Sequence, residues 1–258
     1  MEQELKQELQ RNRSFMKCPI FTESMGKSDQ SRGLPHPPHG KPTKNPVALL
    51  EFDTVPLVEP SYTNILEARR SIRVFDENAT ITQSQLAFIL HTAQGIQGAR
   101  GKDEAFTLRA VPSGGARHPF ETYIAIRAVD GLEPGFYYYA PAATSGQKRV
   151  VLEFLHPITN YAEQITDMLV GQKWAAKSQA TIFLSCVPYK AEWRYRELAH
   201  RVVLIDLGHV GQNIMLSATA LGLGSCCIAA YDQQLCDKNL ALDGEDEYTV
   251  YAVPIGKT

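Results

Sequence analysis

Residues 191–221 read AEWRYRELAHRVVLIDLGHVGQNIMLSATAL and hold the longest helical pattern of the chain. Because apolar residues occupy more than one side of this pattern, we expect a central helix around which the other elements pack. The glycines at 222 and 224 end it. The side chains that recur every three or four positions, which is the spacing of an α-helix, are Leu198, Val202, Ile205, His209, Gln212, Met215, Leu216 and Thr219.

Shorter patterns on both sides predict further helices and strands. Ser61 is placed to cap a helix that runs to residue 68, and Thr82 with Gln85 makes a capping box before a helix that ends near Gly95. Further helices are predicted around 161–170 and at 233–239. Strands are predicted at 121–129, 136–139, 148–155, 225–230, 248–255 and 180–187, the last apolar throughout and so expected to be buried on both faces.

The composition narrows the class of protein. With 258 residues and 44% hydrophobic side chains, the chain can form one large core. A net charge of −2 argues against a nucleic-acid surface, and no apolar run approaches the roughly 20 residues that a membrane helix needs. The start, Met-Glu-Gln-Glu, lacks a signal-peptide pattern, and five cysteines are typical of reduced thiols. We therefore expect a cytoplasmic protein.

The first quarter of the chain differs from the rest. Residues 1–12 are polar and favour a helix, whereas 24–46 are rich in proline and glycine and poor in apolar side chains. We interpret 1–59 as an irregular N-terminal arm, able to wrap a partner subunit, and 60–258 as the compact domain.

The densest cationic stretch is Arg69-Arg70-Ser71-Ile72-Arg73, directly after a predicted helix. Guanidinium groups match phosphate geometry and stay charged at cellular pH, so the stretch is a candidate anion-binding surface. Cations also favour the C-terminal end of a helix, so a solvated helix end is the alternative.

Two glycine-containing segments are further candidates. The loop 112–119, PSGGARHP, has two consecutive glycines that let a backbone approach a flat ligand, or it is an ordinary loop before a strand. The segment 222–227, GLGSCC, is a helix end followed by a core strand, and a redox role for its cysteines is the lesser alternative. Asp206, among apolar residues of the long helix, is expected either in an interhelical salt bridge or near the ligand.

Several familiar signatures are missing. No Gly-x-Gly-x-x-Gly follows a strand, so a Rossmann site is not supported. His36 and His39 could bind a metal ion together with Cys18, but a flexible arm is the preferred interpretation, and we predict no metal site.

Taken together, these segments resemble the nitroreductase superfamily of FMN-dependent oxidoreductases, and within it the SagB-type dehydrogenase branch, which includes azoline oxidases. The resemblance runs from about residue 61 to residue 256. It rests on 69–75, on 112–119 and on the block 195–225 that contains Gly-His-Val-Gly-Gln-Asn at 208–213.

The resemblance implies an α+β fold, with a mixed, largely antiparallel sheet flanked by helices, in an intertwined homodimer with two FMN molecules at the interface. It implies that Arg69, Ser71 and Arg73 contact the FMN phosphate, ribityl and pyrimidine groups. It also implies that the other subunit brings the double-glycine loop to the isoalloxazine, and that a backbone N–H at 229 or 230 faces flavin N5. The implied cofactor-binding residues are Arg69, Arg70, Ser71, Arg73, Pro112, Ser113, Gly114, Gly115, Gly224, Ser225, Ala229, Ala230 and Lys257, the last in place of the basic tail of many members.

The resemblance also implies ping-pong hydride transfer through flavin N5, from a donor such as NADH or NADPH to a small organic acceptor. Tyr195 would supply a proton, and Arg194 stands where azoline oxidases carry a lysine before the tyrosine. Arginine keeps its proton and cannot act as a base, so oxidation of azoline peptides is the second hypothesis. A non-catalytic flavin- or partner-binding protein is the third. The loops at 96–110 and 140–147 are expected to line the substrate pocket.

Overall fold

A computed structural model describes residues 2–17, 26–44, 46–52, 55–141 and 147–258. Its centre is a seven-stranded sheet in the order β1-β6-β5-β4-β7-β9-β8, and each strand is antiparallel to its neighbours. The strands are β1 (Pro46–Glu51), β4 (Phe120–Ile126), β5 (Gly135–Tyr139), β6 (Arg149–Pro157), β7 (Ala180–Cys186), β8 (Gly224–Ser225) and β9 (Tyr248–Gly256), and a separate hairpin joins β2 (Ile96–Arg100) to β3 (Phe106–Arg109).

Helices cover both faces of the sheet. The helices are α1 (Glu2–Ser14), α2 (Tyr62–Ala68), α3 (Gln83–Gln94), α4 (Tyr161–Met168), α5 (Tyr189–Tyr195), α6 (Ala199–Ala220) and α7 (Gln233–Leu240). One core lies between the sheet and α3 with α6, and it includes Ile124, Leu184 and Ile214. The other lies between the opposite face and α4 with α7, and it includes Phe183 and Ile165. The predicted α+β fold with a largely antiparallel sheet flanked by helices is confirmed, whereas the homodimer stays a prediction.

Local signals placed most elements correctly. The capping box forms as expected, because the Thr82 side chain accepts from the Gln85 N–H and the Gln85 side chain accepts from the Thr82 N–H, and Gly95 caps the end of α3. All residues of β7 are buried, as its apolar run predicted. Ser61 stands at the N-cap of α2, but its side chain makes no capping hydrogen bond.

Two predicted elements are wrong in extent. The helix predicted over 191–221 is divided, because Arg196 has φ +51° and a single 3-10 turn, Arg196–Leu198, separates α5 from α6. The strand predicted over 225–230 is reduced to Gly224–Ser225 plus an isolated bridge between Ile228 and Ala252, since the sheet ends at this edge.

The N-terminal segment is more ordered than its composition suggests. Strand β1 pairs with β6 at the edge of the main sheet, so 1–59 is not irregular throughout. Residues 26–44 lie along the domain: Lys41 Nζ forms an ion pair with Glu247 and a hydrogen bond of 2.6 Å with Tyr123 Oη. The domain boundary near residue 60 stays a prediction. Within the described ranges, no helix is long and apolar enough to cross a membrane.

Candidate flavin site

The arginine stretch is an exposed cationic surface directly after α2. Arg70, Ser71 and Arg73 are exposed, and Arg69 is half-buried. Arg70 Nη1 donates to two carbonyls at the helix end, and the Arg73 guanidinium lies 5.7 Å from the ring centroid of Trp174. No carboxylate of the described residues lies within 4.0 Å of these three guanidinium groups. Their charge is therefore available to an anion.

Two other predicted segments meet this surface. The Ile72 N–H donates to the Ser225 carbonyl at 2.9 Å, and the Asp76 N–H donates to the Lys257 carbonyl at 2.9 Å. A Cβ at Gly224 would lie 2.7 Å from Ile72 Cγ2, closer than such contacts occur, so glycine permits this approach. The structure thus brings the arginine stretch, β8 and the C-terminal lysine together.

The segment after β8 presents two free backbone donors. Ala229 and Ala230 are both exposed, and Gln172 Nε2 donates to the Ala230 carbonyl at 3.1 Å. Neither alanine N–H donates to an acceptor in the described part of the chain. Both N–H groups can therefore donate to a ligand.

The double-glycine loop lies against the first half of α6 instead. Ser113 Oγ donates to Asp206 Oδ2 at 2.6 Å, and the Gly114 N–H donates to the same carboxylate at 3.0 Å. Asp206 is buried, and burial raises the pKa of its carboxyl although these two hydrogen bonds oppose the rise. Among the described residues, Asp206 does not form the expected interhelical salt bridge, because its carboxylate oxygens accept hydrogen bonds from this loop. Pro112, at the start of the loop, is exposed.

Gly115 connects the loop to the predicted catalytic pair. It has φ +56°, and a Cβ there would lie 2.6 Å from Arg194 Nε and 2.7 Å from Tyr195 Oη. Both of these side chains are half-buried, and the Arg194 guanidinium lies 5.5 Å from the Tyr195 ring centroid. Arg194 and Tyr195 therefore share one site with Ser113 and the two glycines.

Sequence reasoning missed the contribution of the N-terminal arm to this site. Gln30 Oε1 accepts from Arg194 Nη1 at 2.9 Å, and the Gln30 N–H donates to the Trp193 carbonyl at 2.9 Å. Trp193 Nε1 donates in turn to the Leu34 carbonyl at 3.2 Å. No local sequence pattern predicts these contacts, because they join residues more than 150 positions apart.

Sequence reasoning also missed the basic side chains at the end of the loop and next to it, of which Arg117 and His118 are buried and Arg109 is half-buried. Burial, and then the charge of Arg109, lower the pKa of His118 to about 3, so the imidazole is neutral at pH 7. The pKa of Arg117 is lowered by burial and by Arg194, and its guanidinium lies 4.9 Å from the Trp193 ring centroid. Arg109 donates only to neutral oxygens, among them the His39 carbonyl. Arg117 Nε also donates to the Gly115 carbonyl at 3.1 Å, so positive charge lies directly beside the two glycines.

Within one chain, the two halves of the predicted site lie at opposite ends of α6. A Cβ at Gly114 would lie 2.4 Å from Val202 Cγ1, near the start of this helix. The arginine stretch and Gly224 lie beyond its end, where the Leu223 N–H donates to the Ala218 carbonyl. At about 1.5 Å per residue, the axial distance from Val202 to Ala218 is roughly 25 Å. One chain therefore cannot bring both halves to the same flat ring.

The cysteines after β8 and the histidines of the arm lie in environments that favour a structural role. Cys226 is buried, and burial raises the pKa of Cys227 to about 11, which keeps its thiol protonated at pH 7. The ring nitrogens Nε2 of His36 and His39 contact backbone carbonyls of the β2–β3 turn. In the part of the chain that the structure covers, no group of three or more His, Cys, Asp and Glu side chains is arranged for a metal ion; Cys18 lies outside the described residues.

The predicted substrate loops are partly described. Residues 96–109 form the β2–β3 hairpin, and its turn is held by the arm at Asp103 and Glu104. Residues 142–146 of the second loop lie outside the described residues.

Comparison with known proteins gives the family. The sequence profile of the nitroreductase family matches residues 66–257. The chain belongs to the nitroreductase family. A relative from Methanocaldococcus jannaschii that carries the name of a nitroreductase, MJ1384, is 29% identical over 217 residues, which are 81% of this chain and 96% of the relative.

This nitroreductase-family chain also resembles parts of two longer proteins. The trifolitoxin-processing protein TfxB of Rhizobium leguminosarum bv. trifolii is 30% identical over 137 residues, which are 52% of this chain and 36% of TfxB. A crystal structure from Anabaena variabilis, also named as a nitroreductase, has a TM-score of 0.63 at 24% identity, covering 81% of this chain but only 41% of that one. The structural likeness shows a shared fold. The chain spans well under half the length of these two proteins.

Proposed function

We propose that this chain is an FMN-dependent oxidoreductase that uses a reduced donor, NADH or NADPH, and a small organic acceptor in turn. The observation that carries the proposal is the exposed arginine stretch, which has no carboxylate partner among the described residues and lies within the family match. A dianionic phosphate is the kind of ligand that such a surface favours.

The residues present fit FMN. Arg69, Arg70 and Arg73 would hold the phosphate and the polar edge of the cofactor, with Lys257 as a further cation. The free N–H groups of Ala229 and Ala230 would donate to the ring near N5. When bound, FMN would supply hydride transfer through N5, and the protein supplies orientation and electrostatics.

The chain's own side chains then act around the ring. Arginines close to its pyrimidine edge stabilise negative charge that develops there. Tyr195 can deliver a proton from its phenol oxygen, and Arg194 over its ring orients it. Ser113 and Gly114, fixed by Asp206, hold the glycine loop as a wall against the flat ligand.

A homodimer would join the two halves of the site. Because α6 separates them in one chain, the loop of one protomer would complete the arginine surface of its partner. Exposed apolar side chains support this arrangement: Leu204 and Ile205 on α6 are 55% and 49% exposed, and Leu66 on α2 is exposed too. Adjacent exposed apolar side chains such as Leu204 and Ile205 favour burial in an interface.

The test of the proposal is spectroscopic and kinetic. The purified protein should be yellow, should release FMN on denaturation, and should be bleached by NADH or NADPH and reoxidised by an acceptor in stopped-flow experiments. A colourless protein that takes up no added FMN would contradict the proposal. Bound flavin that no common donor reduces would favour a non-catalytic binding protein.

Oxidation of azoline rings in a peptide is the second candidate, and the identity to TfxB, which is named as a toxin-processing protein, favours a processing role of this kind. Against it, Arg194 cannot act as a neutral base. The nearby Lys190 is buried in an ion pair with Glu121, so its amine is not free either. Turnover of a thiazoline peptide with oxygen and without a nicotinamide would favour this candidate, and turnover that requires NADH or NADPH would exclude it.

A further inference from the structure

A cavity of about 210 Å³ lies between the N-terminal arm and the end of α5. The arm supplies three of its seven lining residues, and the rest follow Trp193. Because the arm precedes residue 66, where the family match begins, likeness to the family does not account for this cavity. The lining residues are Gly26, Ser28, Ser31, Arg194, Tyr195, Arg196 and Glu197.

The lining carries an excess of positive charge. Arg196 Nε lies 3.5 Å from Glu197 Oε2, so this cation has one carboxylate partner. Among the described residues, the hydrogen-bond partner of Arg194 is the neutral Gln30 amide, and no carboxylate lies within 4.0 Å of its guanidinium. Arg117 behind it adds positive charge and lacks an acidic partner in the same ranges. An anion would complete the charge balance of the cavity.

The backbone has a positive φ at Arg196 and at Gly26, which lies against the Arg196 side chain. Arg196 has φ +51°, a left-handed conformation that non-glycine residues rarely adopt and that often accompanies function. Gly26 also has a positive φ, and a Cβ there would lie 2.6 Å from Arg196 Nη1. The arm therefore passes directly against the guanidinium, and the positive φ of residue 26 favours glycine at this point.

We infer that this cavity binds an anionic group, a carboxylate or a phosphate, of one of the two substrates of the proposed oxidoreductase. The inference that the ligand is a substrate rests on the proposed function. Arg194 and Tyr195 line the cavity and also contact Gly115, so the anion would lie beside the glycine loop. With water at about 30 Å³ per molecule, the volume suits an anionic group and a few waters rather than a whole nucleotide.

The kinetic test compares substrates that differ only in charge, at constant ionic strength. The substrate pairs are 4-nitrobenzoate with 4-nitrobenzamide, and NADPH with NADH. For the holoenzyme, Arg196→Gln should raise the KM of the substrate whose anionic group occupies the cavity about tenfold and that of its analogue without this group less than about twofold, with kcat little changed. Arg32→Gln is the matched control, since Arg32 is an exposed arginine of the same arm that does not line the cavity. It should leave all of these KM values unchanged.

The same variants locate the source of the anion. If the tenfold change falls on NADPH and not on NADH, the cavity holds the 2′-phosphate of the donor. If it falls on 4-nitrobenzoate, the cavity holds a carboxylate of the acceptor. Equal KM values in wild type and Arg196→Gln for every charged and neutral pair would overturn the inference.

A binding measurement separates this inference from the proposed function. Calorimetric titration should show that benzoate or inorganic pyrophosphate binds the wild type at least about tenfold more tightly than Arg196→Gln, and that benzamide binds neither. Selective anion binding by a protein that lacks flavin would retain the cavity and refute the oxidoreductase. Flavin turnover without any selective anion binding would do the reverse.

Discussion

At the scale of single residues, Asp206 is the carboxylate that fixes the glycine loop. Replacing it by alanine leaves the Ser113 hydroxyl and the Gly114 N–H without their acceptor. We expect Asp206→Ala to lower the free energy of unfolding by about 1–3 kcal/mol in urea denaturation. Asp206→Asn keeps one acceptor oxygen and should lose less. Equal losses in the two variants would show that the hydrogen bonds do not hold the loop.

The low pKa of His118 predicts that the stability of the protein depends on pH. Its pKa of about 3 in the folded protein lies far below the ordinary value of 6.5, because burial and Arg109 disfavour the cation. As pH falls below 6.5 the unfolded chain binds a proton that the folded chain does not, so stability is lost toward acid. Between pH 7.5 and 5.5 this residue should cost about 1.4 kcal/mol.

The comparison that isolates this effect uses His118→Asn, since asparagine tolerates the left-handed conformation at φ +45°. Urea denaturation at both pH values should show a larger loss for the wild type than for the variant. Parallel losses would mean that the folded protein protonates His118 as readily as the unfolded chain does.

At the scale of elements, the glycine loop depends on its close contact with α5. Gly115→Ala combines a left-handed conformation with a Cβ placed against Arg194 and Tyr195. Gly33→Ala is a matched control, because Gly33 has φ +80° with nothing within 4 Å of the new Cβ. The control should cost about 1 kcal/mol, and Gly115→Ala should cost about 1–3 kcal/mol more in chemical denaturation. Similar costs would refute the contact.

At the scale of the whole molecule, the exposed face of α6 should be the surface that pairs two protomers. Leu204→Glu would place a charge in that interface, so we expect a shift from dimer to monomer in analytical ultracentrifugation and loss of bound FMN. Val170→Glu is the control, since Val170 is also 55% exposed but follows α4 on the opposite face of the sheet. A dimeric, flavin-loaded Leu204→Glu protein would place the interface elsewhere.

The sequence by itself determined the features that depend on neighbouring residues. The capping box of Thr82 and Gln85, the apolar run of β7 and the arginine stretch after α2 each lie within a few positions. Backbone hydrogen bonding and side-chain periodicity act over one helical turn or one strand, so such patterns can be recognised in the sequence without knowledge of the fold.

Only the tertiary structure decided which of these features meet. Asp206 reaches Ser113 from 93 positions away, and Gln30 reaches Arg194 from 164 positions away. The break at Arg196 and the short β8 also depend on packing and on where the sheet ends. Contacts of this kind follow from the path of the chain through two cores, and tertiary packing overrides local preference wherever the two compete.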